Sequence, residues 1–175
     1  MLMEKELSKD VCKEKVYEHV FNTQSQVINN YFFYKFGNKE LARESVQEAF
    51  IKLWENCKKV PLSKAKSFLY TVANNLSLNR YKHQKVVLNY ANTVPQHTMD
   101  EQSPQYKMEE EEFKLKLETA IQNLSEKQRV AFLLHRIDDK SYKEIAEILS
   151  ISVKAVEKRM QKALESLREE IEAFR

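Results

Sequence analysis

Three groups of residues in this 175-residue chain have the types and the spacing of binding surfaces. The first group begins a predicted helix that starts at Val153, and its members are Ser152, Lys154, Lys158, Arg159 and Lys162. A helix that lies in the major groove of DNA reads base edges with its N-terminal residues, while its cations contact phosphates. A solvated helix face with ordinary charge pairs is the alternative. The helix and turn that precede Val153 favour DNA binding.

The second group occupies a window without any Asp or Glu, between Glu55 and Asp100. The window carries basic residues at Lys58, Lys59, Lys64, Lys66, Arg80, Lys82 and Lys85, interleaved with Phe68, Tyr70 and Tyr81. Cations that follow a phosphate backbone and aromatic rings that stack on bases are typical of single-strand binding. The alternative is that the aromatic residues are core and the lysines only keep the protein soluble. For the segment as a whole, nucleic acid is the favoured ligand.

The third group is acidic: Glu44, Gln47 and Glu48 share one face of a predicted helix. Composition alone predicts only a solvated face there. Nothing in the sequence suggests an active site, because the four histidines are scattered and there is no glycine-rich phosphate loop. We therefore expect no catalytic residue, no metal site, no cofactor and no small-molecule substrate.

The elements that must position these groups are helices. One glycine and three prolines leave few turn residues for hairpins, so the chain is predicted to be all-α. Apolar periodicity predicts helices at residues 16–36 and 39–57, and a third that ends at about Lys82. A loop at about 58–66 precedes that third helix. In the C-terminal part, capping-box patterns begin at Ser125 and Ser141, and a break at 150–152 predicts a helix-turn-helix.

The distribution of charge divides the chain into two small domains. Residues 1–82 carry 14 basic against nine acidic side chains, and residues 113–175 carry 13 against 11. Between them, residues 83–112 carry two against six, include two prolines and lose the apolar periodicity. We predict domains at 1–85 and 113–175, joined by a flexible linker at 86–112.

Cys12 and Cys57 lie far apart in the sequence, and neither has a second Cys or a His at metal-ligand spacing. They are predicted to be free thiols. No stretch approaches the ~20 apolar residues of a membrane span, and the N-terminus lacks the pattern of a signal peptide. We expect a cytoplasmic protein.

Four segments, in order, resemble the extracytoplasmic-function group of the sigma-70 family of RNA polymerase subunits. Residues 44–50 with Trp54 are similar to the family's acid-x-x-Gln-Glu-x-Phe helix, and residues 68–76 to the helix behind its promoter-melting loop. Residues 124–129 and 152–160 are similar to the domain that reads the minus-thirty-five element. The chain departs from the family's pattern at Phe68, Asn74, Asn79 and Ala155, where the family often has Trp, a basic residue, Asp and Thr.

The resemblance implies a promoter-specificity subunit without catalytic activity, with core RNA polymerase, promoter DNA and an anti-sigma protein as partners. It places core-polymerase contacts at Glu44, Gln47, Glu48, Phe50 and Trp54. Minus-ten contacts are expected at Lys58, Lys59, Lys64, Lys66, Tyr70, Asn74 and Arg80. Minus-thirty-five contacts are expected at Ser152, Lys154, Ala155, Lys158, Arg159 and Lys162.

Two other functions are compatible with parts of the chain. The C-terminal pattern also resembles the output domain of response-regulator transcription factors, although residues 1–82 have no alternation of strands and helices that would predict a receiver domain. A nucleic-acid-processing enzyme that uses the acid-free window would need a set of metal ligands, and none is visible in the sequence.

Overall fold

The computed structural model describes residues 10–91 and 105–173, and within these ranges every regular element is a helix. The prediction of an all-α fold is confirmed. The helices are α1 (Glu14–Phe36), α2 (Lys39–Glu55), α3 (Leu62–Ala91), α4 (Gln105–Asn123), α5 (Glu126–Arg136), α6 (Tyr142–Leu149) and α7 (Val153–Ala173). They belong to two compact units that separate between Thr93 and Val94.

Local sequence explains how α1 passes into α2. Gly37 takes the left-handed conformation (φ 68°) that ends α1, and its amide donates to the Phe33 carbonyl at 2.8 Å. Asn38 is the N-cap of α2, where its side-chain oxygen accepts from the Leu41 amide at 2.9 Å. The one glycine of the chain therefore stands where a helix must stop.

Helix α3 is longer at both ends than its sequence predicts. It begins at Leu62, so Lys64 and Lys66 belong to its first two turns and not to a loop. It continues to Ala91, beyond the predicted end at about Lys82, because no proline or glycine interrupts it. Helix α4 likewise begins at Gln105, inside the range predicted to be a linker. Residues 92–104 of that range lie outside the described residues.

The core of the N-terminal unit lies where α1, α2 and α3 meet. Its fully buried members include Ile28, Phe32, Ala42, Leu53 and Leu69. Two large apolar residues that fit the helical periodicity are exposed: Phe21 on α1 and Trp54 on α2. Both lie at the edges of the apolar stripes, where tertiary packing and not helix period decides burial.

The C-terminal unit contains both predicted capping boxes. The Ser125 amide donates to Gln128 Oε1 at 3.0 Å, and the Ser141 amide donates to Glu144 Oε2 at 2.8 Å. Ser150 ends α6 in the left-handed conformation (φ 54°), and Ser152 Oγ then accepts from the Ala155 amide at 3.2 Å at the start of α7. The predicted helix-turn-helix is therefore present as α6, a tight turn and α7.

The prediction of two free thiols is wrong, because Cys12 and Cys57 form a disulfide with a Cα–Cα distance of 5.0 Å. Sequence spacing did not reveal this pair, since 45 residues separate the two cysteines. Tertiary packing brings them together: buried Val11 and Val60, which lie beside them in the sequence, belong to the same core cluster. The bond joins the turn before α1 to the α2–α3 loop, residues 56–61.

Among the described helices, none combines the length and the apolar character that a membrane crossing requires. The described residues also contain no group of three or more His, Cys, Asp or Glu side chains that could hold a metal ion.

Candidate nucleic-acid and protein interfaces

The acidic group on α2 is linked to α3 by an arginine. Arg80 Nη2 lies 2.9 Å from Glu48 Oε2, and Arg80 Nη1 lies 3.5 Å from Glu44 Oε2. Lys52 Nζ lies 3.8 Å from the other oxygen of Glu48. All of these side chains are at least one-third exposed, so each pair contributes little to stability. Their effect is to fix the direction of the two carboxylates.

An apolar surface adjoins the acidic group. Trp54 and Ile51 on α2 and Phe21 on α1 are each about half exposed, which is unusual for large apolar side chains on helices of a small unit. Phe21 and Ile51 line a groove of about 570 Å³ between α1 and α2, whose wall also includes Gln47 and Val46. The sequence reasoning missed Phe21 and Ile51 as members of this surface. The available signal was that α2 has apolar residues on more than one face.

Phe50 does not belong to that exposed surface. It is 3% exposed, and its ring lies below the apolar surface with edge contacts to Phe21 at 5.0 Å and Tyr17 at 6.3 Å between centroids. The Tyr17 hydroxyl donates to the Phe50 carbonyl at 2.8 Å, and burial raises the pKa of this tyrosine. The Tyr17 ring also lies 5.0 Å from the Trp54 ring. Phe50 and Tyr17 thus support Trp54 from within the unit.

The residues predicted to contact the minus-ten region fall into two sets. Lys58 and Lys59 are exposed in the α2–α3 loop, Lys64 is exposed in the first turn of α3, and Lys66 beside it is half-buried. These four form a basic segment at one end of the unit. The other three, Tyr70, Asn74 and Arg80, lie along α3 and are already engaged by side chains of α1 and α2.

Tyr70 and Asn74 face α1. The Tyr70 ring packs at 5.3 Å from Tyr31 and 6.2 Å from Phe32, and this burial strongly raises the pKa of its phenol. A ring in this position is a poor platform for a base. Asn74 Oδ1 accepts from Lys35 Nζ at 2.9 Å, and Lys35 also lies 5.4 Å from the centre of the Phe36 ring.

Tyr81 is an exposed aromatic residue of α3 that also contacts α1. Tyr81 lies 5.7 Å from Phe36, with the two rings tilted, and is more than one-third exposed. Lys35 therefore contacts both Asn74 and the Phe36 ring, and the Phe36 ring in turn contacts Tyr81. Sequence reasoning missed the contacts of Lys35 and Phe36 with α3. The apolar pattern of α1 predicts only a core helix and does not show that its last turn contacts α3.

The basic group lies in the first three turns of α7. Val156 and Met160 are buried against the rest of the unit, which leaves the opposite face to solvent. Lys154, Lys158 and Lys162 are exposed on α7, while Ala155 and Arg159 are half-buried. Within the described part of the chain these four cations make no ion pair. Their charge is therefore available to a polyanion.

Comparison with known proteins assigns both units. The family model "Sigma-70 region 2" matches residues 22–86, and "Sigma-70, region 4" matches residues 114–167. The chain is 27% identical over 172 residues to the ECF RNA polymerase sigma factor SigW of Bacillus subtilis (strain 168), covering 93% of this chain and 86% of SigW. It is 24% identical over 152 residues to the ferric citrate uptake sigma factor FecI of Escherichia coli (strain K12), covering 85% and 87%.

A solved structure has the same fold. The sigma factor RpoE from Bartonella quintana, solved in complex with the anti-sigma factor NepR, aligns with a TM-score of 0.54 at 18% identity, covering 92% of this chain and 99% of RpoE. The region 2 match to the N-terminal unit does not favour a response-regulator output domain. Sigma factors are initiation factors, and the chemistry of RNA synthesis belongs to the polymerase. Because the two family models together match more than half of its residues, the chain belongs to the sigma-70 family and is a promoter-directing RNA polymerase sigma factor of the extracytoplasmic-function (ECF) group.

Proposed function

We propose that the N-terminal unit binds core polymerase through the combined acidic and apolar face of α2. Glu44, Gln47 and Glu48 supply the polar contacts, and Trp54 supplies the exposed ring. Large exposed aromatic residues next to oriented charges are typical of protein interfaces. Phe21 and Ile51 extend the same surface. Phe50 acts from below, because a side chain that is 3% exposed cannot reach a partner without unpacking.

For the minus-ten region, we infer a basic path along Lys58, Lys59, Lys64 and Lys66. Three of these lysines are exposed and Lys66 is half-buried, and a run of lysines with no intervening acid suits the backbone of a displaced strand. Asn74, with Lys35 beside it, and the exposed ring of Tyr81 form a second patch that suits an unstacked base. Tyr70 and Arg80 contribute indirectly: Tyr70 packs α3 on α1, and Arg80 orients the α2 carboxylates.

For the minus-thirty-five region, we infer that α7 enters the major groove with its exposed face. One observation supports this assignment most directly: the cations on that face form no ion pair with any described residue. Lys154, Lys158, Arg159 and Lys162 are suited to phosphates or guanine edges, Ala155 to an apolar base contact, and the capped α7 start at Ser152 to a phosphate. In this proposal the chain has two binding modules, residues 1–85 and residues 113–175, which are joined by the linker at residues 86–112.

Two further features are part of this proposal. We place the protein in the cytoplasm with RNA polymerase, and we expect it to have no catalytic activity of its own. We also infer that an anti-sigma protein controls it, since the structurally similar RpoE was solved in complex with an anti-sigma factor.

One reconstituted assay tests whether the chain binds core polymerase and directs it to a promoter. Core polymerase, with and without this chain, is supplied with a promoter that carries both elements, and both core binding and run-off transcription are measured. We expect the chain to bind core enzyme and to start transcription at a defined site. A chain that binds promoter DNA but not core enzyme would overturn the proposed role of α2.

A further inference from the structure

We propose that Cys12 and Cys57 are a reversible redox site, whose oxidation fastens the α2–α3 loop to the turn before α1. The site takes a hydroperoxide or a low-molecular-weight disulfide as oxidant and a dithiol as reductant. The consequence for transcription rests on the proposed role of the loop in promoter opening. The redox chemistry itself does not depend on that role.

The fold holds the two cysteines near each other by more than their mutual bond. The Cα atoms are 5.0 Å apart, within the range that a disulfide spans. The Cys12 amide donates to Asp10 Oδ1 at 3.0 Å, and the Cys57 amide donates to the Trp54 carbonyl at 3.2 Å. Buried Val11 and Val60 anchor both segments in one core cluster. Since these contacts do not need the sulfur–sulfur bond, reduction leaves the thiols positioned to pair again.

Both cysteines are accessible to solvent, and their neighbours in the sequence are more often basic than acidic. Each side chain is partly exposed, which a small reductant or oxidant needs. Four exposed lysines adjoin the pair in sequence, against three acids: Lys13, Lys15, Lys58 and Lys59 against Asp10, Glu14 and Glu55. Neighbouring cations favour the thiolate, which is the form that reacts. A disulfide in a protein that works beside cytoplasmic polymerase is also expected to be transient, since thiols are kept reduced there.

Oxidation by hydrogen peroxide proceeds in two balanced steps. One thiolate attacks the peroxide, the oxygen–oxygen bond breaks, and a sulfenic acid forms with release of one water after proton transfer. The second thiolate attacks the sulfenic sulfur, the sulfur–oxygen bond breaks, and the disulfide forms with release of a second water. A dithiol reverses the change by exchange. Its first sulfur attacks the protein disulfide, whose sulfur–sulfur bond breaks, so that a mixed disulfide forms and one protein thiolate is released. Its second sulfur then breaks the mixed disulfide, which releases the other protein thiolate and leaves the dithiol oxidised.

The bond acts on the loop at its second residue. Cys57 directly precedes Lys58 and Lys59, the exposed cations at the beginning of the proposed strand path. A loop that is already ordered loses less conformational entropy when it captures a strand. The oxidised protein is therefore expected to open promoters more readily than the reduced protein. The same bond closes a long ring in the unfolded chain and so stabilises the N-terminal unit.

The first test concerns the thiols alone and uses the full chain. Protein incubated in mixtures of reduced and oxidised glutathione is quenched with a maleimide reagent, and the two forms are counted by mass. We expect both forms to be populated within the accessible mixtures. The oxidised form should unfold at a temperature higher by on the order of 10 °C, and Cys12→Ser/Cys57→Ser should show no redox dependence. A pair that stays fully reduced, or fully oxidised, across all mixtures would overturn the proposal.

The second test measures promoter opening. Oxidised and reduced chains, freed of reagents, are added to core polymerase, and permanganate reactivity of unpaired thymines is followed in time. We expect opening to be several times faster with the oxidised chain, and the double serine variant to match the reduced chain after either treatment. Equal rates for two forms that the first test distinguishes would refute the coupling to the loop. Loss of opening in both forms, with the redox titration intact, would instead refute the proposed role of the loop.

Discussion

Arg80 Nη2 donates to Glu48 Oε2 at 2.9 Å, which joins the predicted DNA-binding helix to the predicted polymerase-binding helix. The same guanidinium reaches Glu44 at 3.5 Å. Sequence patterns assign Arg80 to promoter DNA and the two glutamates to polymerase, so the contact connects two surfaces that the sequence treats as separate. A cation held by two carboxylates is a weaker candidate for phosphate binding, and the carboxylates are better oriented for a partner.

Arg80→Ala should therefore weaken core binding and not DNA binding. Losing the two partly exposed pairs is expected to lower core affinity by a factor of roughly 2–5, measured by competition for labelled core enzyme. The salt slope of holoenzyme binding to the promoter should stay unchanged. If instead core affinity stays normal and the salt slope falls, Arg80 contacts a phosphate as the sequence pattern predicts.

Glu48→Lys should reduce core affinity by roughly tenfold or more, because it places a cation where an acceptor for a cationic partner is expected. The free energy of unfolding should fall by no more than about 1 kcal/mol, since Glu48 is partly exposed. Glu18→Lys, the same charge change at an exposed site on α1, is the matched control and should bind normally. Equal binding by the two variants would remove Glu48 from the interface.

Lys158→Ala/Arg159→Ala should weaken promoter binding by the holoenzyme. Each lost phosphate contact lowers the salt slope by roughly 0.9, whereas a lost base contact costs ~1–3 kcal/mol of preference at one position. Binding titrations over a range of salt, on the promoter and on single-base variants, distinguish the two effects. Arg168→Ala, farther along α7 and also exposed, should leave both quantities unchanged. Unaltered affinity and selectivity in the double variant would exclude this face of α7 as the reader.

The α2–α3 loop can be tested without unfolding the unit. Wholesale replacement of residues 58–66 would remove Val60 and Ala65, which are buried in the core. Lys58→Gln/Lys59→Gln/Lys64→Gln changes only exposed charges. We expect normal core binding but strongly reduced permanganate reactivity, partly rescued by a promoter that is already unpaired at minus ten. A charge-matched variant outside the loop, Lys127→Gln/Arg136→Gln/Lys143→Gln, changes exposed cations of the C-terminal unit and should melt promoters normally. Normal melting by the loop variant would place strand capture elsewhere.

The capping box of α6 should make stability depend on pH. Hydrogen bonds from the Ser141 hydroxyl and then its amide lower the pKa of Glu144. This stabilisation is fully present above the glutamate pKa of the unfolded chain and is lost as pH falls through the lowered pKa of the folded state. Ser141→Ala should therefore lower the melting temperature by roughly 4–8 °C at pH ~7 and by less at pH ~3. Ser125→Ala removes a cap whose partner, Gln128, does not titrate, so its effect should be the same at both pH values.

Local signals in the sequence were enough for the helix ends that carry a capping residue. Gly37, Asn38, Ser125, Ser141 and Ser152 each act within four residues of themselves, so their roles follow from the sequence without knowledge of the tertiary fold. The ends of α3 were harder to predict. No residue near Lys82 is a helix stop signal. The lack of such a signal predicts the position of a helix end less well than a glycine or a capping residue does.

Tertiary structure decided which side chains meet across helices. The Cys12–Cys57 bond, the Arg80 pairs with α2, and the contacts of Lys35 and Tyr70 join residues more than 30 positions apart. Periodicity assigns a residue to a face of its own helix but does not say which helix covers that face. The sequence alone therefore determined an all-α sigma factor, whereas the packing of α1 and α2 on α3 determined which of the predicted site residues are exposed.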